Sequence, residues 1–476
     1  MRFDHKRIER RSALLILTVG ALSIVIVLIA AGVSSCVDFT GSANDHSVVY
    51  ERDDAWTPPH QTFLQSPMHT TPVPGWRLTA QDLGLPPADS PIGRPQIGNP
   101  PDPYPSDPFV GYLGDHAYFL ASSAARETHW WLAAIDVRKG EGLFPPIPLG
   151  TGTRPACFLN GPDALLCLAG GNDPQAWVID AHSGHVEYSG ETDLTLSPGH
   201  MGVDQVGIYA VAGDMDVGLY GVGDRAQTTW FVPGEGRVSH YWSYESPDVE
   251  PPMLAAQTVT GRGALRMQVF SLIDGTVLQP EIEAGFVAEG AVVYPGGFAV
   301  ESGKGMAPDR LSFYDETGRL LRTVESPGFL DVNYGSLPIA GGGTDGTVFS
   351  SEGYLLARIT GFDSGSAPQQ IGSFLFVSQS GVVDHWAQYD LRTGEELRQC
   401  DSVTSLYVGS DGEVGIFSDG DPRIPQETRA VDLATCTVNW TLTSAPGSFR
   451  RVWRINTTLV QLSDDGTELM SLVAPS

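Results

Sequence analysis

The side chains of this 476-residue chain that could coordinate a metal or carry thiol or acid–base chemistry are five cysteines, 11 histidines and 56 carboxylates. Cys157 and Cys167 flank the run Phe158-Leu159-Asn160-Gly161-Pro162-Asp163-Ala164-Leu165-Leu166. With a turn centred on Pro162 they oppose each other across a hairpin, where Cα atoms stand about 4.5–5.5 Å apart, within disulfide reach. Cys400 follows one strand unit and Cys436 lies in the turn of the next, so a bond between them would staple neighbouring units. Outside the cytoplasm such thiols oxidise, which leaves Cys36 as the odd one. A metal site needs ligands grouped within a few residues, and these cysteine spacings predict none.

The histidines are scattered, and His182 and His185, which share one turn, are read as solvent residues. There is no Gly-x-Ser-x-Gly, no Walker loop and no His-Glu-x-x-His. Asp214-Met215-Asp216-Val217-Gly218 and Asp464-Asp465-Gly466 look like fragments of calcium loops. Neither has the full oxygen set at the right offsets, so both are assigned to turns. Paired carboxylates for glycoside hydrolysis converge in space rather than in sequence, and no pair stands out. No catalytic residue and no cofactor is predicted.

The elements that must position these groups are short. With 55 Gly and 35 Pro, 41% hydrophobic residues and 18% charged ones, the chain predicts many strands joined by many turns. Residues 41–476 carry 23 basic residues (28 − 5) against 53 acidic ones (56 − 3), a net −30. Such a surface repels phosphate backbones, which disfavours nucleic acid as a partner.

The N-terminus has its own logic. Residues 1–11 form a cytoplasmic basic segment with Arg2, Lys6, Arg7, Arg10 and Arg11. Residues 12–35 follow as a transmembrane helix or lipoprotein signal. Within them Ala13 to Val33 is a 21-residue run without charge. At about 1.5 Å per residue it spans roughly 30 Å, the thickness of a bilayer core. Basic residues before it orient the rest of the chain outward. Val33-Ser34-Ser35-Cys36 resembles a lipobox, making Cys36 the lipidation candidate of the alternative, lipid-anchored reading. Residues 36–108 read as an extracytoplasmic linker. The stretch 42–108 holds 14 of the 35 prolines, which favours extended polyproline conformations, with a strand near 75–80 around Trp76.

From 109 to 476 one phrase recurs: an apolar strand ends in Asp, a turn leads to Gly, and an outer strand follows. It stands as Ala176-Trp177-Val178-Ile179-Asp180 with Gly184, at Asp136 with Gly140, Asp315 with Gly318, and Asp390 with Gly394. At Asp432 the glycine's place is taken by Cys436, and looser copies end at Asp224 and Asp274. Asp bonds backbone amides across such a turn and Gly accepts positive φ. Most intervals suit four short strands, so each unit reads as one blade.

The phrase resembles the PQQ-like (quinoprotein alcohol dehydrogenase-like) β-propeller repeat, and the Arg-rich, Lys-poor chain looks like a membrane-anchored bacterial, actinobacterial member. Phe144, Tyr188 and Leu397 replace the family's closing Trp, which Trp440 keeps. The adjacent cysteines that quinone-dependent members stack on the cofactor are absent. The resemblance therefore implies the fold without the quinone site.

Seven Asp-marked units, with the Trp76 strand joining the three C-terminal strands to close the ring, predict an all-β propeller of about eight four-stranded blades. Seven is the alternative, and the long interval from Asp315 to Asp390 hides an insertion or a poorly marked blade. The expected role is a non-catalytic binding or scaffold module at the cell membrane, with the C-terminal domain outside and a protein or cell-envelope partner. The rival is a propeller enzyme, a quinone-dependent dehydrogenase or a carbohydrate-active one, working in the central channel.

Overall fold

In the computed structural model the described residues are 49–476, apart from 87–93, 99–106, 125–126, 171–173, 197–199, 241–247, 262–263, 306, 332–335, 364–366, 381–384, 405, 419–426 and 444–450. The basic segment 1–11, the apolar segment 12–35 and Cys36 lie outside them. Among the described residues every regular element is a strand, and no helix is long and apolar enough to cross a membrane.

The strands form nine antiparallel sheets, eight of four strands and one of six. Numbered along the chain, blades 1–8 cover 95–151, 156–191, 202–233, 238–278, 287–325, 329–359, 369–399 and 406–443. Blade 9 combines 452–473 with Val73–Thr79, the latter paired to Glu468–Val473 as its outermost strand. The Trp76 strand thus completes the blade begun by the three C-terminal strands, as the sequence predicts. In blade 1 two segments, Pro95–Ile97 and Phe109–Leu113, share the innermost position against His116–Ala124.

The expected count of eight blades, or seven, is corrected to nine. The interval between Asp315 and Asp390 holds a complete blade, 329–359, whose turn lacks Asp. Ser350 takes its place: its Oγ accepts the backbone N–H groups of Glu352 and Tyr354, at 3.3 and 3.1 Å. In blades 2 and 8 the predicted chemistry holds. Asp180 Oδ1 accepts from the backbone N–H of Ser183 at 2.7 Å, and Asp432 Oδ1 from that of Thr435 at 2.8 Å. Cys436 adopts φ 58°, the conformation its glycine counterparts use.

Middle strands are buried on both faces because each blade is sandwiched between two others. Along His116–Ala124, Ala117, Phe119 and Ala121 pack toward Ile455, Val460 and Leu462 of blade 9, while Tyr118 and Leu120 pack toward Leu165 and Ile179 of blade 2. Outer strands add a second joint. Trp76 of blade 9 lies on Gly140 in blade 1's turn, Phe144 of blade 1 on Gly184, and Trp230 of blade 3 on Gly275. A Cβ on Gly140 would sit 2.4 Å from Trp76 Cγ, so only glycine admits the ring.

The linker expectation for 36–108 is also corrected where the chain is described. Residues 50–68 form a strap against the propeller. Tyr50 stacks edge-on against Phe349 at 5.3 Å, and Arg52 Nη1 donates to the Leu356 carbonyl at 2.7 Å. Gln61 and Leu64 bond the backbones of blades 7 and 8, and Met68 is fully buried. Leu83 and Leu85 enter the core between blades 9 and 1. Proline sets an extended backbone here, but Gln61, Leu64 and Met68 between the prolines are buried.

Candidate functional site: the plugged central channel

The innermost strands of nine blades surround a wide axis, and the chain fills part of it. After Val238–His240 of blade 4, the segment from Asp248 to Pro252 crosses toward other blades. The Pro251 side chain lies beneath Gly207 of blade 3, while Asp248 reaches Tyr407 of blade 8 and Arg454 of blade 9. Prolines at 251 and 252 stiffen this segment and exclude it from strand pairing. It acts as a plug across the channel.

The plug is held by a buried ionic lock. Arg454 Nε stands 3.4 Å from Asp248 Oδ1, with both side chains 1% exposed. Tyr407 donates its hydroxyl to Asp248 Oδ2. The strap completes the lock, because Arg454 Nη2 donates to the Thr62 carbonyl at 2.6 Å and Thr62 N–H donates to the Asp248 carbonyl at 2.7 Å. Burial pushes the Asp248 carboxyl up to about 6, against the opposing pull of the Arg454 charge and the Tyr407 hydrogen bond. Burial also holds the Tyr407 phenol well above its ordinary range, with the Asp248 charge adding to it.

Beside the plug lies a cavity of about 1180 Å³, bounded by the inner strands of blades 1, 2, 3, 8 and 9. Phe109, Tyr112, Leu113, Ile208, Val249 and Trp453 give it apolar walls. Phe109 and Trp453 pack ring to ring at 5.7 Å, joining blade 1 to blade 9. Its polar lining includes Asp107, ion-paired to Arg451, and Asp163, 3.2 Å from His182 Nε2. Asp204 and Glu250 are exposed there.

The residues singled out from sequence fall elsewhere. Cys157 and Cys167 are opposed across the first hairpin of blade 2 with Cα atoms 4.0 Å apart, and their sulfurs stand at disulfide distance. Cys400 and Cys436 do the same between blades 7 and 8, with Cα atoms 5.3 Å apart. The calcium-like fragments make turns: Asp214 Oδ1 accepts from Asp216 N–H at 3.2 Å, and Asp465 Oδ1 accepts from Thr467 Oγ1 at 2.7 Å. Among the described residues no group of three His, Cys, Asp or Glu is placed to hold a metal ion. Of the two turn histidines only His182 reaches the cavity lining.

Asp248, Tyr407 and Arg454 escape a reading of the sequence. One signal was present: Arg454 is the lone charge in the otherwise apolar strand Val452–Ile455, and a buried guanidinium demands a buried partner.

Nine antiparallel sheets, one per blade, around a plugged channel define a nine-bladed β-propeller. The chain belongs to the family described as the conjugation-associated 9-bladed beta-propeller domain, whose model matches residues 49–475. An uncharacterized protein of Mycolicibacterium smegmatis (strain MKD8) is 36% identical over 488 residues, covering 99% of this chain and 98% of that one. Among solved structures, BamB from Moraxella catarrhalis aligns at 11% identity over 77% of this chain and 96% of its own, with a TM-score of 0.34. The computationally designed Ika8 protein aligns at 12% identity over 65% and 93%, with a TM-score of 0.38.

Proposed function

We propose that this chain is a non-catalytic docking module of a conjugation-associated assembly at the cell envelope. Membership of the conjugation-associated propeller family over residues 49–475 carries that reading. The turn phrase is a PQQ-like way of building a blade, used without a quinone site. Anchoring follows from sequence: basic residues 2–11 precede the 21-residue apolar run from Ala13 to Val33, so the propeller stands outside the cytoplasm on a single-pass helix. Lipidation at Cys36 is the alternative anchor.

Crosslinking in native membranes, followed by purification and mass spectrometry, tests this reading. A protein recovered in near-stoichiometric yield, with DNA transfer lost on deletion of the chain, is the expected outcome. Recovery of a quinone or glycan in place of a protein, or transfer unaffected by the deletion, would overturn it.

A further inference from the structure

The cavity beside the plug has the size, walls and charge of a site for a polypeptide segment. Small-molecule sites commonly occupy about 300–1,000 Å³, and this one, at about 1180 Å³, reaches along the inner strands of five blades. Its apolar walls suit a large aliphatic or aromatic side chain. Its charge is one-sided: five lining carboxylates, Asp107, Asp163, Asp204, Asp248 and Glu250, face two guanidiniums, Arg451 and Arg454. Both guanidiniums are already engaged, Arg451 with Asp107 and Arg454 with Asp248. Three carboxylates remain over, on Asp163, Asp204 and Glu250, and all three residues are exposed. His182 beside Asp163 adds positive charge only when protonated.

We infer that the channel cavity binds a basic, apolar-anchored segment of a partner protein, with Lys or Arg side chains meeting Asp204 and Glu250 and a large apolar side chain lying against Phe109 and Trp453. This deepens the docking reading above and rests on it. A segment of that kind is drawn to the mouth by the field of the whole chain, whose formal charge is −28. It is then held by apolar burial that an equally basic but wholly polar segment cannot supply.

The test uses full-length protein in detergent and three dye-labelled hexapeptides read by fluorescence anisotropy: alternating Lys and Leu, alternating Glu and Leu, and alternating Lys and Ser. The Lys–Leu peptide is expected to bind at least tenfold more tightly than either other. The double variant Asp204→Lys/Glu250→Lys, altered only at exposed positions, should weaken it at least tenfold. Glu187→Lys/Glu191→Lys, at two exposed positions on the outer strand of blade 2, makes the same change in net charge away from the cavity and should leave binding within twofold. Equal loss in both variants would mean that the peptide reads bulk charge, and the inference falls. It falls equally if the Glu–Leu peptide binds as well, or if the double variant binds like the parent. Repeating the membrane crosslinking with the double variant separates the two readings. A partner retained at parental yield removes the cavity as its site and leaves the docking module standing, whereas no partner with either protein removes the docking reading itself.

Discussion

Arg454, on the innermost strand of the last blade, ion-pairs with Asp248 of a segment that leaves blade 4 and crosses the channel, and both side chains are 1% exposed. One pair therefore ties plug, ring and, through Thr62, the N-terminal strap. Removing one partner strands a buried charge, which costs on the order of 3–5 kcal/mol. Asp248→Ala is expected to lower the urea midpoint accordingly. Asp248→Leu/Arg454→Met, which removes both charges, should recover part of that loss. A single variant within about 0.5 kcal/mol of the parent, the range usual for surface changes, would show that the lock does not hold the plug.

Glu301 gives a pH signature. It lies on the second strand of blade 5 and accepts the Leu330 backbone N–H of blade 6 at 2.6 Å. Burial pushes its carboxyl from 4.5 up to about 7; the Leu330 bond opposes the shift and the Glu289 charge adds to it. The folded chain therefore binds this proton more tightly than the unfolded one, so the contribution grows as pH falls from about 7 to 4.5 and is lost as pH rises through 7. Asp248 acts in the same sense between about 6 and 3.8. Glu301→Gln should be more stable than the parent at pH 8 by a margin on the order of 3 kcal/mol that vanishes near pH 4. Chemical denaturation of both proteins across that range measures it, and a pH-independent difference would refute the assignment.

How much was legible follows from range along the chain. The turn phrase is local: Asp180, Ser183 and Gly184 make their bonds within four residues, so spacing alone reveals them. Blade 6 was hidden because Ser350 performs the aspartate's task with a less distinctive side chain. Closure by the Trp76 strand could be read from an incomplete set of C-terminal strands. The strap could not, since proline spacing reports an extended backbone but not what Leu64 and Met68 bury against. The channel lock is the extreme case: Tyr407 and Asp248 are 159 residues apart, and no local pattern links them.

Trp76 makes the closure testable. Its indole N–H donates to the Val137 carbonyl at 2.7 Å, and its ring covers Gly140, so it joins blade 9 to blade 1. Gly140→Ala must both strain a residue at φ 69° and displace the ring. Trp76→Ala loses the ring's burial, which costs on the order of 3 kcal/mol or more. Thermal melts should show both variants destabilised and the double variant less so than the sum, because the two changes break one joint. Strict additivity would separate Trp76 from Gly140 and argue against this joint as the ring's seam.

The last joint is covalent in kind. Where other blades set a bulky side chain on the next blade's turn glycine, blade 7 presents Cys400 and blade 8 replaces the glycine with Cys436, which keeps φ 58°. A cross-link between residues 36 apart in sequence restricts the unfolded chain by about 3–4 kcal/mol on the loop-entropy account, against about 2.5–3 for the ten-residue separation of Cys157 and Cys167. Cys400→Ser/Cys436→Ser should therefore lower stability more than Cys157→Ser/Cys167→Ser. Peptide mapping without reduction should recover both cross-linked pairs from the parent. Reversing Cys436→Ser with Cys436→Gly tests the turn separately: glycine relieves the positive φ, so Cys400→Ser/Cys436→Gly should regain part of the loss. If the glycine form gains nothing, the cost lies wholly in the missing bond and the turn tolerates serine.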